Sequence, residues 1–259
     1  MPVQANGFHE NRELQSSIFL FLKKGTTHLR ILPAYSEKGS WFREVKEISW
    51  HNEEGKYAPL VSPATNGDPC PFLNEGKRLY ELGGEENVEA SKEFRPRSNF
   101  LFNVIVKSTP DGEVPIDECV KVLKCGVTVK RQILDLDQDF AGGWGDITNL
   151  EQGIDIRITR SGNGRFDTEY NVKGVPDGRG SILAYLEEKE YKRDLNPHNL
   201  DELFAPKSFE ELTVLLERKK ADVAGLSQQP QELGDVGDVP IAPIESQNTV
   251  AAPALPEVK

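Results

Sequence analysis

Several kinds of residue are scarce in this chain of 259 residues, and each shortage excludes a class of protein. Cysteine occurs only at Cys70, Cys119 and Cys125, which excludes a disulfide scaffold and fits a reducing compartment. The strongest apolar run, 18–22, is far shorter than the ~20 residues of a membrane span, and we expect neither a signal peptide nor a membrane partner. With 31 basic against 42 acidic residues, the net charge of −11 argues against coating duplex DNA through global positive charge.

The acidic excess is concentrated at the C-terminus, in residues 221–259. This segment has many prolines and glutamines, no aromatic residue, and Lys259 as its lone cation. Its acids are Asp222, Glu232, Asp235, Asp238, Glu245 and Glu257. Such a segment cannot bury enough apolar surface to offset its ordering entropy, so we predict a disordered acidic tail. The rest of the chain is only mildly acidic and leaves room for a locally basic groove.

The first two thirds of the chain alternate apolar and polar residues in the manner of β-strands. The predicted strands are 27–32, 41–50, 99–107, 119–125, 154–160 and 166–172. The last two flank Ser161-Gly-Asn-Gly164, which indicates a hairpin because Asn-Gly tolerates positive φ. Residues 127–136 have helical spacing. Several short strands with one helix predict a mainly β fold with α additions, as a small closed or nearly closed barrel.

Two regions depart from this pattern. Residues 53–97 are too long for a simple loop and predict an inserted subdomain with a helix near 74–82. After the hairpin the chain turns helical, with predicted helices at 181–191, 199–204 and 208–220. Ser208 and Glu211 form a capping box for the last helix. We therefore divide the chain into an N-terminal arm (1–17), a core (18–176), a helical segment (177–220) and the tail (221–259).

Catalytic and metal-binding patterns are weak. The histidines are scattered, and neither a nucleophile elbow nor a Walker lysine is present. Asp135, Asp137 and Asp139 fit the first positions of a calcium loop, but Phe140 replaces the required glycine, which favours a solvated acidic loop. His51 and Cys70 could supply two of four zinc ligands without obvious partners, which favours a buried structural cysteine.

The remaining signal is the mixture of cations and aromatic rings on the predicted strands. Cations that follow a phosphate backbone, with rings on which bases stack, are what sequence-tolerant binding of single strands requires. The alternative is that the rings are core and the cations are the solvated face of each strand. The candidate DNA-binding residues are Trp41, Arg43, Lys46, Trp50, Arg95, Arg97, Phe100, Phe102, Lys121, Lys124, Arg157, Arg160, Arg165, Tyr170 and Lys173.

Short motifs along the chain resemble T4-type bacteriophage single-stranded-DNA-binding proteins. The similarity extends over roughly residues 18–216, in order and spacing. The motifs are Leu29-Arg-Ile-Leu-Pro33, Trp41-Phe-Arg-Glu-Val45, Asp68-Pro-Cys-Pro71, Phe94-Arg-Pro-Arg97, Gly153-Ile-Asp-Ile-Arg-Ile-Thr-Arg160 and Leu203-Phe-Ala-Pro-Lys-Ser-Phe209.

The resemblance implies an oligonucleotide-binding (OB) fold, a five-stranded Greek-key barrel with an inserted subdomain, that coats single-stranded DNA in phage replication, recombination and repair. It also implies residence in the cytoplasm of the infected bacterium and an acidic tail that contacts replication and recombination proteins. Two features depart from the family. Cys70 lacks a second cysteine for zinc, so we expect no cofactor, and residues 1–17 contain Arg12 as their only cation, so basic-arm self-association is unsupported.

Two other readings stay open at the level of sequence. The protein could be an acidic interaction or assembly protein whose strands bind protein. It could also be a metal-dependent nuclease that uses Asp135, Asp137 and Asp139. DNA affinity and its salt dependence separate the first from a DNA-binding protein, and metal-dependent cleavage identifies the second.

Overall fold

The computed structural model describes residues 18–36, 39–138, 144–164 and 167–228, within which the chain forms one nine-stranded sheet and five α-helices. The strands are β1 (Phe19–Leu20), β2 (Gly25–Ile31), β3 (Phe42–Ile48), β4 (Leu60–Val61), β5 (Arg97–Thr109), β6 (Gly112–Glu113), β7 (Val120–Cys125), β8 (Ile154–Ser161) and β9 (Glu169–Arg179). The helices are α1 (Pro71–Leu82), α2 (Glu85–Phe94), α3 (Val127–Gln138), α4 (Ile182–Glu188) and α5 (Phe209–Gln228). Within these residues no helix is long and apolar enough to cross a membrane.

Strand β5 is the centre of the sheet and is shared by two branches. The main path runs β1-β7-β5-β2-β8-β9, and β3 with β4 forms a branch from β5. Along one edge of β5, β3 pairs with the first half (Phe42 opposite Phe102) and β2 with the second half (Ile31 opposite Val104), while β7 occupies the other edge. The mainly β prediction with added helices is confirmed. The strand pairing is that of an open sheet, however, so the prediction of a closed or nearly closed barrel is not confirmed.

A helix covers the inner face of this open sheet, which we define as the face of β5 that carries Phe100, Phe102 and Val104. Val129 and Ile133 of α3 pack into the same core cluster as these residues. The Gln132 side chain donates to the Tyr170 carbonyl at 3.0 Å and accepts from the Val172 amide at 2.8 Å. Gln132 thereby satisfies part of the exposed edge of β9 that a further strand would satisfy in a closed barrel.

The opposite, outer face of β5 carries Leu101, Asn103 and Ile105. It is covered by the chain between α4 and α5, residues 189–208, which we call the C-terminal segment. The buried Asn103 side chain exchanges two hydrogen bonds with the His198 backbone, each 2.9 Å long. Leu200 and Phe204 then pack beside Leu101. The predicted helix at 199–204 is wrong: this stretch contains turns, because its apolar residues pack against the sheet through an irregular backbone.

The insertion between β4 and β5 is built mainly from α1 and α2, which pack against each other and against α5. The core of this region includes Cys70 and Phe72 at the start of α1 and Leu212 of α5. The capping box at the start of α5 is confirmed: the Glu211 amide donates to Ser208 Oγ at 3.1 Å, and the Ser208 amide donates to Glu211 Oε2 at 2.9 Å. Helix α5 continues to Gln228, beyond residue 220 where the sequence predicted its end. The predicted arm and residues 229–259 of the tail lie outside the described residues.

Candidate nucleic-acid interface

Trp41 and Phe42 form a partly exposed aromatic edge on the inner face. The Trp41 ring centroid lies 5.3 Å from that of Phe42 and 5.6 Å from that of Phe102, and Phe42 lies 5.7 Å from Phe102. Both rings therefore contact the same core phenylalanine. Alternation along a strand predicts that neighbouring rings point to opposite faces. Trp41 lies before the first residue of β3, so this alternation does not apply to it. The aromatic edge offers two adjacent rings on one side of the sheet.

Lys130 of α3 adds a cation beside the aromatic edge. Its Nζ lies 5.2 Å from the ring centroids of both Phe42 and Phe100. The first turns of α3 follow directly on β7, which pairs with β5, and this connection brings the lysine over the rings. Sequence reasoning selected neither Phe42 nor Lys130 as a candidate. The signal that could have found Lys130 is a cation on a predicted helix that leaves the same strand pair as the rings.

Lys46 lies on the same side of the sheet as the aromatic edge. Phe42, Glu44 and Lys46 alternate with Arg43 along β3, and the register places Lys46 opposite Ser98 of β5. The intervening Glu44 accepts a hydrogen bond from the Ser98 hydroxyl at 2.5 Å. The inner face thus continues past the rings as a polar surface with a lysine at its end.

A surface cleft of about 410 Å³ opens beside this area, between the start of α3 and the start of β9. Tyr170 is partly buried and contributes to the inner core from its position in β9. The cleft therefore brings the candidate Tyr170 near the helix that carries Lys130. Its lining residues are Gly126, Thr128, Val129, Thr168, Glu169 and Tyr170.

Two candidate cations are engaged in ion pairs on the outer face of β3, β5 and β7. Lys124 Nζ lies 2.6 Å from an oxygen of the buried Glu47, beneath Phe204. Arg43 pairs with Asp201 and donates to Asn66 Oδ1 at 2.9 Å, and burial lowers the pKa of its guanidinium. Their charges are thus compensated where the C-terminal segment covers the sheet, away from the aromatic edge.

Three of the candidate aromatic residues are core residues. Trp50, Phe100 and Phe102 are 8%, 7% and 0% exposed, and Trp50 packs edge-on against Phe72 in the helical insertion. A base cannot reach a ring face that is already covered by neighbouring side chains. The candidate interface therefore excludes these three residues and includes Phe42.

The remaining candidates are distributed over the molecule. Arg157 and Lys173 are exposed and lie opposite each other on the outer face of β8 and β9. Arg160 donates to the Leu22 carbonyl at 2.9 Å, and Arg95 lies over the Tyr80 ring in the insertion. Exposed Arg97 begins β5, half-buried Lys121 lies opposite Val104, and Arg165 lies outside the described residues.

Metal-binding candidates do not assemble in the described part of the chain, where no group of three or more His, Cys, Asp or Glu side chains is placed to hold an ion. Cys70 is buried at the start of α1, whereas His51 is exposed and bridges to Tyr57. Burial, with Asp146 nearby, raises the pKa of Asp137, whose carboxylate accepts the Ile147 amide at 3.4 Å. Asp139 of the candidate calcium loop lies outside the described residues.

An open sheet with partly exposed rings, a neighbouring lysine and surface cations such as Arg157, unpaired within the described residues, has features of a nucleic-acid-binding protein. Residues 23–221 match the family described as gp32 DNA binding protein like, and the chain belongs to that family. The resemblance to T4-type single-stranded-DNA-binding proteins is thereby confirmed. Membership in this DNA-binding family supports a role in binding single-stranded DNA. No curated protein matches the chain in a sequence search.

Proposed function

We propose that this protein coats and protects single-stranded DNA during phage DNA replication, recombination and repair, in the cytoplasm of the infected bacterium. The aromatic edge of Trp41 and Phe42 stacks bases, while Lys130 and Lys46 neutralise phosphates. The observation that carries the proposal is the contact of Lys130 with the ring of Phe42, next to a second partly exposed ring. A cation and two rings on one surface supply both components of sequence-tolerant binding.

We interpret the sheet as a variant of the OB barrel whose open side is occupied by a helix. The strands β2, β5, β7, β8 and β9 contribute to one core cluster together with α3. This shared core supports the interpretation, because the interior of a small barrel is filled by the side chains of its strands. In this interpretation the aromatic edge lies where the curved sheet meets the helix.

The acidic C-terminal tail is the proposed contact for phage replication and recombination proteins. Its carboxylates give an acidic, proline-rich sequence that basic surfaces of partner proteins can bind. The same tail can compete with DNA for the cations of the inner face. Removal of residues 229–259 should therefore tighten DNA binding at low salt, and weaker binding after removal contradicts competition by the tail.

The first test is a titration of a fluorescent oligo-dT with the full chain at several salt concentrations, beside a matched duplex. We expect preference for the single strand and a log–log salt slope of about −0.7 for each phosphate contacted. Absence of binding at low salt, with and without residues 229–259, contradicts the proposal and favours the protein-interaction reading.

A matched pair of tryptophan variants separates stacking from core packing. Trp41→Leu should lower affinity for oligo-dT by about five-fold or more, since stacking contributes ~1–3 kcal/mol per base. Trp144, also partly buried, packs against the same core from a position next to Gly174. Trp144→Leu should lower the free energy of unfolding and leave affinity unchanged. Equal affinity losses in the two variants contradict the assignment of the aromatic edge.

A further inference from the structure

The outer face of β2, β8 and β9 carries a row of cationic and polar side chains that the aromatic edge does not include. Backbone pairing places His28 of β2 opposite Arg157 of β8, and Arg157 opposite Lys173 of β9. Arg157 and Lys173 are both exposed. We call these three residues the outer row. The neighbouring Ile156 and Ile158 point into the core, so alternation directs the outer row to the opposite face.

The surroundings of the outer row leave its positive charge uncompensated. The nearest acid on β8 is Asp155, which is buried and already paired with both Arg30 at 2.8 Å and Lys107 at 2.5 Å. These three groups together keep one positive charge. In the described part of the chain, neither Arg157 nor Lys173 forms an ion pair within 4.0 Å.

The next positions along the same three strands add hydrogen-bonding groups. Thr26, Thr159 and Asn171 lie opposite one another, and the two threonine hydroxyls are 3.1 Å apart. Glu169 lies two positions beyond Asn171 and marks the end of the positive region. Arginine, lysine, threonine and asparagine side chains are among those that bind phosphate oxygens, and contacts to phosphate carry no sequence information.

Strand β9 connects the outer row with the candidate interface on the inner face. Tyr170 faces the inner core from β9, whereas Lys173, three residues later, faces outward. Three residues of strand span only about 10 Å. Since β9 is the last strand on the main path of the sheet and the cleft opens at its start, a polynucleotide that leaves the cleft can pass around the start of β9, ahead of the positions that Gln132 covers.

We propose that the outer row is a second tract for single-stranded DNA that holds the backbone by its phosphates alone. This inference rests on the proposed function, because the outer row receives DNA that first binds the aromatic edge. The tract contacts long strands, which reach around β9, and leaves short strands unaffected. It adds about two phosphate contacts, one each at Arg157 and Lys173.

The test measures affinity as a function of salt for two lengths of oligo-dT, about 5 and about 16 nucleotides, near the limits of the site sizes of OB folds. The variant is Arg157→Gln with Lys173→Gln. The control is Lys77→Gln with Lys192→Gln, which removes the same charge from two exposed lysines, one in α1 and one in the loop after α4. Tryptophan fluorescence and thermal unfolding verify that both variants fold.

We expect the outer-row variant to reduce the magnitude of the salt slope on the long strand by about 1.4, two contacts at ~0.7 each, and to leave the short strand unchanged. Between 50 and 200 mM salt this change corresponds to about a seven-fold smaller loss of affinity. An unchanged long-strand slope, equal reductions on both lengths, or an equal effect of the control overturns the second tract. Failure of the wild-type chain to bind either length refutes the proposed function instead.

Discussion

The buried cluster of Arg30, Asp155 and Lys107 provides the most demanding test of how this fold is held together. The Arg30 side chain is 2% exposed and makes three hydrogen bonds. Nε donates to Asp155 Oδ1 at 2.8 Å, and the two terminal nitrogens donate to the carbonyls of Gly180 at 3.0 Å and Gly178 at 2.7 Å. One guanidinium thus joins β2 and β8 to the far end of β9 and the turn before α4.

Replacement of Arg30 by methionine preserves most of the buried volume and removes all three donors. Asp155 keeps Lys107, but the two partly buried carbonyls lose their partner, at up to ~1–3 kcal/mol for each unsatisfied group. Removal of one member of a buried ion pair costs about 3–5 kcal/mol. The two effects overlap, so we expect the free energy of unfolding to fall by ~3–5 kcal/mol. In a domain of this size that corresponds to a midpoint lower by about 6–20 °C.

Urea denaturation followed by tryptophan fluorescence measures this change, provided that the m-value stays constant. Lys107→Met is the comparison, because that lysine is partly exposed and makes one bond to Asp155; we expect a loss of about 1–2 kcal/mol. A loss below about 1 kcal/mol for Arg30→Met refutes the assignment of this cluster as the link between β2, β8 and β9.

Three further predictions concern other parts of the fold. Lys124→Met should cost about 2 kcal/mol, measured by urea denaturation, because among the described residues the buried Glu47 then keeps the Asn99 amide alone as side-chain partner; an unchanged midpoint contradicts this. Burial lowers the pKa of His198 below its ordinary 6.5, so the unfolded chain binds more protons and stability should fall as pH drops below 6.5. His198→Gln should flatten the dependence of Tm on pH between about 7.5 and 5.5; parallel curves exclude His198 as the source. Gly153→Ala should cost about 3 kcal/mol or more in thermal unfolding, since its Cβ lies 2.3 Å from the Asn149 carbonyl oxygen, and a normal Tm contradicts that clash.

The sequence predicts the positions of the strands well, but it does not predict whether the sheet closes into a barrel. Alternation located β8 and the strand at 41–50 because their apolar faces are continuous and their partners are antiparallel neighbours. Closure depends on long-range contacts, such as the amide of Gln132 with the backbone of β9, that leave no local pattern. A single glutamine on a helix gives no signal that it replaces a strand at a sheet edge.

The candidate site was predictable in composition but only partly in position. Cations and rings do occur on the strands, as expected from single-strand binding. Burial separates Trp41 from Trp50, although both lie in the same predicted strand, because Trp50 is covered by helices of an insertion whose packing the sequence pattern does not show. Lys130 could not be selected because its role depends on where α3 crosses the sheet.

The covering of each sheet face decides which cations are available to DNA. On the outer face of β3, β5 and β7 the C-terminal segment partly covers the cations, and each has an acid partner: Lys124 has the buried Glu47, and Arg43 has Asp201. Arg157 and Lys173 lie on strands that this segment leaves exposed, and they need no acid. A count of basic residues on strands therefore overstates the DNA-binding surface, because the cations on a covered face are already paired with acidic side chains of the protein. Charge removal at exposed Arg157 should change the salt slope for DNA, whereas removal at Lys124 should change stability.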